Sequence, residues 1–150
     1  MDIWLAGNLL TCDDNLAFVK QFRLAVVDTA ARLRSGEGSP LPFAGLSPEG
    51  AHRGLMLRAG HDDETEADYQ KRSQFRGLSW GPTTDNVTAH LFRDVDCLVI
   101  TMQFVREEHL LKHPEYEGEV FVVRISTAEF VGLLEDLVAL LDSGQKQDCA

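Results

Sequence analysis

His109 and His113 have the spacing most suggestive of chemistry, because His-Leu-Leu-Lys-His puts two imidazoles one helical turn apart. That is the separation at which one helix face can share a metal ion. Glu107 and Glu108 precede the pair and offer a carboxylate ligand. A zinc hydrolase of the His-Glu-x-x-His kind needs its general base directly after the first histidine, where this chain has Leu110, and Pro114 ends the helix at once. Two solvent-facing histidines are the favoured reading, so no metal is expected. His61 opens the run His-Asp-Asp-Glu-Thr-Glu-Ala-Asp, which holds five carboxylates in eight residues. A calcium loop would carry its glycine inside such a run, and here Gly60 lies before it, so a solvated acidic loop is expected.

The remaining searches for catalytic groups yield little. His90 sits on an expected strand, facing the same way as Thr88 and Phe92, where it is either a lone general base or a half-buried, hydrogen-bonded side chain. No Gly-x-Ser-x-Gly elbow occurs, and Cys12, Cys97 and Cys149 have no adjacent histidine or basic residue to lower a thiol pKa. Gly36-Glu37-Gly38 is followed by Ser39-Pro40 and no lysine, so no phosphate loop and no cofactor are expected. An enzyme would need a site dispersed in sequence, with His52, His90 and Glu107 as its candidates.

Charge is the outlying property. Acidic residues number 24 against 14 basic ones, a formal charge of −10 with a pI near 4.8. Nucleic acid is disfavoured as a partner, since its binding draws on Lys and Arg displacing counterions. A basic protein partner is favoured, met by Asp62, Asp63, Glu64, Glu66 and Asp68 together with Glu107, Glu108, Glu115, Glu117 and Glu119. Tyr69, Trp80 and Tyr116 are the candidate aromatic anchors of that surface. No secretory signal and no run of 18 apolar residues occur, and three unpaired cysteines suit reduced thiols, so a cytoplasmic protein with no membrane partner is expected. The expected function is a non-catalytic domain that neutralises a basic protein. In small size, acidity and lack of its own chemistry the chain is similar in profile to bacterial immunity proteins, which plug toxin nucleases. An acidic secretion chaperone and a small enzyme with a dispersed site stay open as alternatives.

These side chains need elements to position them. The length of 150 residues suits one domain, and the patterning predicts an α+β fold, an antiparallel sheet of four or five strands with two main helices packed on it. Met1 to Leu10 reads as a strand broken at Gly7-Asn8. Asp13, Asp14 and Asn15 offer caps for a helix over 15–35, through Phe22, Val26, Ala30 and Leu33, with a strand through Phe22, Leu24 and Val26 as the competing reading. Residues 36–50 form a Pro/Gly loop, 53–59 a strand, and 64–76 a short polar helix in which Glu64, Asp68 and Arg72 stand at four-residue spacing.

The second half is more strongly patterned. Residues 87–93 and 96–105 form a hairpin around Asp94, in which Leu98, Ile100, Met102 and Phe104 share one face and Cys97, Val99, Thr101 and Gln103 the other. A helical turn before Pro114 and a strand over 119–125 follow. Ser126-Thr127-Ala128-Glu129 then caps a final helix carrying Phe130, Leu133, Leu134, Leu137, Leu140 and Leu141, which Gly144 stops before a frayed tail over 145–150. Leu133, Leu137 and Leu140 or Leu141 are its expected anchors. If its apolar face exceeds what one sheet covers, a homodimer seam through Leu134, Val138 and Leu141 is expected. Cys97 is expected in the core and Cys149 in the tail.

Overall fold

The nearly continuous apolar run over 97–104, interrupted only by Thr101 and Gln103, makes that segment an inner strand with both faces largely buried. The computed structural model, which describes residues 2–11 and 18–147, builds the sheet around it. Strands Arg76–Gly77 (β3), Val87–Asp94 (β4), Cys97–Phe104 (β5) and Phe121–Ser126 (β6) form a four-stranded antiparallel sheet in the order β3-β4-β5-β6. The broken N-terminal strand is a separate small hairpin, Trp4–Leu5 (β1) with Asn8–Leu9 (β2). Its two turn residues, Ala6 and Gly7, both have positive φ, as a tight hairpin with the right-handed twist of its strands requires.

The first face of the sheet carries Leu98, Ile100 and Met102, all about fully buried, beneath helices α1 (Val19–Arg34) and α5 (Thr127–Gln147). Phe22, Val26, Ala30 and Leu33 of α1 descend onto it at helical spacing. The helix ends where Gly36, at φ +89°, lets its amide reach the Leu33 carbonyl and the Glu37 amide reach that of Arg32, the paired bonds of a Schellman stop. The helix therefore outcompetes the strand reading of Phe22 to Val26. It begins at Val19, and the expected caps Asp13, Asp14 and Asn15 lie outside the described residues, as do Cys12 and Cys149.

The second face is covered by α2 (Pro48–Met56), against which α3 (Glu66–Ser73) packs. Here the strand expected over 53–59 is corrected: those residues are the end of a helix and the turn after it. Ser47 accepts a bond from the Gly50 amide and Pro48 occupies the first turn, so helix-start chemistry overrides the apolar run Leu55-Met56-Leu57. Ala51, His52 and Leu55 turn inward onto Val99 and Phe92. Gly77 of β3 is required by close approach, since a Cβ there would lie 2.5 Å from Leu91 Cγ.

Two expectations about α5 are corrected. It runs through Gly144 to Gln147, and Leu133 and Leu140 are exposed. Its buried contacts come instead from Phe130, Val131 and Leu134, with Leu137, Val138 and Leu141 half-buried. The expected cap is present, Ser126 Oγ accepting from the Glu129 amide at 3.1 Å. Cys97 is half-buried at the end of β5 and so is not a core residue. No helix among the described residues is long and apolar enough to cross a membrane.

Candidate functional site

The acidic run 61–68 is held in shape by two of its own carboxylates. Glu64 accepts from the Gly60 amide at 2.9 Å and pairs with Arg72, and these bonds hold its carboxyl below the usual range. Asp68 forms a reciprocal capping box with Thr65 and pairs with Arg58 of the turn after α2 at 3.4 Å; the Thr65 bonds lower its pKa as well. Both residues expected at a partner surface thus serve first as structure. Asp62 and Asp63 are exposed with no cation or hydrogen-bond partner among the described residues, and exposed Glu66 accepts only from Gln70. Exposed apolar groups lie beside the bracing pair Glu64 and Asp68. Leu57, 74% exposed, lines a notch between α2 and α3 with Phe43, Arg58, Glu64 and Lys71, and Lys71 lies 4.2 Å over the Phe43 ring. Tyr69 stands out from α3, 45% exposed.

The second acidic segment begins in α4 (Glu107–Lys112) and continues through the turn at Pro114–Tyr116. Glu107, Glu117 and Glu119 are exposed with no cation partner among the described residues, while Glu108 pairs with Arg106 and Glu115 with His113. Helix α2 runs between the two segments. Its Arg53 donates to the Gly118 carbonyl at 3.3 Å, and Arg58, just beyond its end, reaches Asp68. Two of the three aromatic candidates fail as free anchors. Trp80 is buried, edge-on to Phe22, with its indole N–H donating to Thr29 at 3.1 Å. Tyr116 is half-buried and stacks on Phe104 with ring centres 5.0 Å apart.

Four of the five histidines gather in two places on opposite faces of the sheet, and His61 is exposed in the acidic run. His52 of α2 and His90 of β4 meet with their Nδ1 atoms 3.0 Å apart, and His52 Nδ1 is also 2.9 Å from Thr101 Oγ1, directly across the ladder from His90. Both rings are buried, at 0% and 1% exposure. A ring nitrogen carries either one proton or one lone pair, so this contact excludes two charged imidazoles and is satisfied with both neutral, one donating to the other. Burial enforces that state. It lowers the pKa of His52 to about 4 and, with the neighbouring His52 and Arg72 adding to it, that of His90 to about 3. A base so weak and so sealed is a tie between α2 and the sheet. Glu107 does not join it, since that carboxylate lies in α4 on the exposed surface.

His109 and His113 form the other group. His109 stacks on Phe104 with ring centres 4.3 Å apart and lies 4.9 Å from His113, which stacks on Tyr116. Aromatic packing therefore uses the helical-turn spacing that suggested a metal. Among the described residues no group of three or more His, Cys, Asp or Glu is placed to hold an ion.

Sequence reasoning named His52, His90 and Glu107 together as candidates for a dispersed site; the two histidines do meet, and Glu107 stands apart from them. It missed the Leu57 notch because it read that segment as a strand, although Ser47-Pro48 carried the helix-start signal. The chain matches no protein-family model, no curated protein and no solved structure.

Proposed function

We propose that this chain is a binding domain for a basic protein partner, acting as an immunity protein acts on a toxin domain, and that the surface formed by 61–68, α2 and the 107–119 segment is where the partner sits. One observation carries the reading: among the described residues no cation pairs with Asp62 and Asp63, in the loop braced by Glu64 and Asp68, or with Glu66 at the start of α3, and Leu57 and Tyr69 are exposed on the same segment of chain. Unpaired carboxylates on a segment that also exposes apolar side chains suit the polar rim and anchor of a protein interface. The negative field of the whole molecule adds steering toward a cationic surface.

The test is stopped-flow association with a partner recovered from the native cell, over a salt series. The triple variant Asp62→Asn/Asp63→Asn/Glu66→Gln leaves the bracing carboxylates in place. It is expected to keep its melting temperature, associate several-fold more slowly at low salt, and show a flatter salt dependence. Leu57→Ala with Tyr69→Ala is expected to raise the dissociation rate instead. A triple variant that associates at the wild-type rate at low salt overturns the reading.

A further inference from the structure

The cover of the second face is slight beside that of the first. Helix α1 brings Phe22, Val26, Ala30 and Leu33 to the first face, and α5 adds Phe130, Val131 and Leu134. On the second face α2 brings the apolar side chains Ala51 and Leu55 and the imidazole of His52, and α3 buries nothing. Segments with few buried apolar contacts are the ones that open while the rest of a molecule stays folded. His52, touching both His90 and Thr101, is the buried polar tie of α2 to the sheet, and the 3.3 Å bond from Arg53 to the Gly118 carbonyl beside it is exposed.

That tie has room for one proton and not for two. With both rings neutral, or one charged, a single Nδ1–H points at the other ring's lone pair; with both charged, two N–H groups of like charge face each other across 3.0 Å. Thr101 relieves only His52. The surroundings offer the second proton no counter-charge. Helix α2 itself carries Glu49 and Arg53, and α3 brings Arg72, which Glu64 holds, and Lys71, which lies over Phe43. In β3 Arg76 stands opposite His90, β6 places Arg124 opposite Val99, and Asp94 shares the face of His90 at the far end of β4. Strand β5 presents Thr101 and Gln103, and residues 39–46 hold no charged side chain. Of these, Arg53 and Arg72 act on the rings and both oppose a proton, while Gln103 favours one on His52 without completing a hydrogen bond to its buried Nε2. No carboxylate accepts from either ring among the described residues.

We propose that the His52–His90 contact is an acid-sensitive latch: once both imidazoles carry a proton, α2 and α3 leave the second face together, while the sheet, α1 and α5 stay folded. Helix α3 packs against α2, so the two move as one. The acidic run 61–68 links them and goes with them, so acid dismantles that surface. The latch holds whether or not that run meets a partner. In the closed form the pair stays neutral well below the pH near 6.5 at which an exposed imidazole charges. Opening therefore takes up two protons, and the opening constant rises about fiftyfold between about pH 6 and pH 5.

Hydrogen exchange of the wild-type chain, corrected for the intrinsic pH dependence of amide exchange, reads the opening segment by segment. Amides of 52–56 in α2 are expected to open about fiftyfold more at pH 5 than at pH 6, with those of α3 at least as open. Amides of 98–104 in β5 and 22–33 in α1 are expected to stay at least about tenfold less open than α2 at both pH values. In His90→Gln, and equally in His52→Gln, one titrating ring is left, and the rise in α2 is expected to fall to under about tenfold. A substitution that merely loosened the cover would raise the opening at both pH values and keep their ratio. Cover and core opening equally at pH 5, a cover whose opening does not change between pH 6 and pH 5, or a ratio that survives in both variants overturns the inference.

Discussion

Val95 shows how much one residue can absorb. It turns the β4–β5 hairpin with φ +52°, is 78% exposed, and belongs to the β-branched class that least tolerates this region. The conformation persists because its surroundings fix it: Arg93 Nε donates to the Val95 carbonyl at 3.2 Å, and the Thr127 amide donates to that of Asp96 at 2.7 Å. Strain of this kind costs on the order of 1–3 kcal/mol, and asparagine tolerates the left-handed region without glycine's added freedom when unfolded. Val95→Asn is therefore expected to stabilise the protein by about 1 kcal/mol in chemical denaturation. An unchanged or lower midpoint would contradict the strain. Trp80 illustrates the reverse, a candidate interface anchor that is buried, with its indole N–H donating to half-buried Thr29.

At the scale of the element, α5 separates periodicity from burial. Leu133 and Leu134 are neighbours on a Leu-rich helix, yet Leu134 is 3% exposed and Leu133 is 55% exposed. Leu134→Ala is expected to cost about 2–5 kcal/mol through lost contacts and a residual cavity. Leu133→Ala is expected to cost under about 1 kcal/mol in the monomer, because little apolar area leaves the core. Equal losses in urea titrations of monomeric protein would mean that the helix is rotated about its axis. The second-face helices behave differently. Helix α3 buries no residue, and its shape rests on the capping box and the Glu64–Arg72 pair, so local polar chemistry dictates it.

For the molecule as a whole, acidity and the buried histidine pair set how stability responds to pH. An unfolded histidine titrates near 6.5, whereas His52 and His90 in the fold are lowered to about 4 and about 3. Above pH 6.5 both states are neutral at these positions. As pH falls below 6.5 the unfolded chain binds protons that the native pair refuses, so stability is lost down to the native values. Between pH 7 and 5 the pair is expected to remove on the order of 3 kcal/mol, before the lowered carboxylates Glu64 and Asp68 begin to titrate. His90→Gln is expected to remove about half of that slope whatever its own stability. Denaturation curves at several pH values measure it, and a flat profile from pH 7 to 5 would overturn the neutral-pair assignment.

The sequence by itself determined what depends on neighbours along the chain. The apolar run of β5, the period of α1 and α5, the Ser126 cap and the charge of the 61–68 run follow from local patterning, and the α+β class follows from their order. Tertiary structure decided what depends on burial and meeting. Nothing near His52 in the chain foretells that α2 would lay it on His90, since the two are 38 residues apart and come together only when the helix covers the sheet. The same holds for which leucines of α5 face inward, because a helical stripe fixes spacing while the position of α1 and the width of the sheet fix which side is covered.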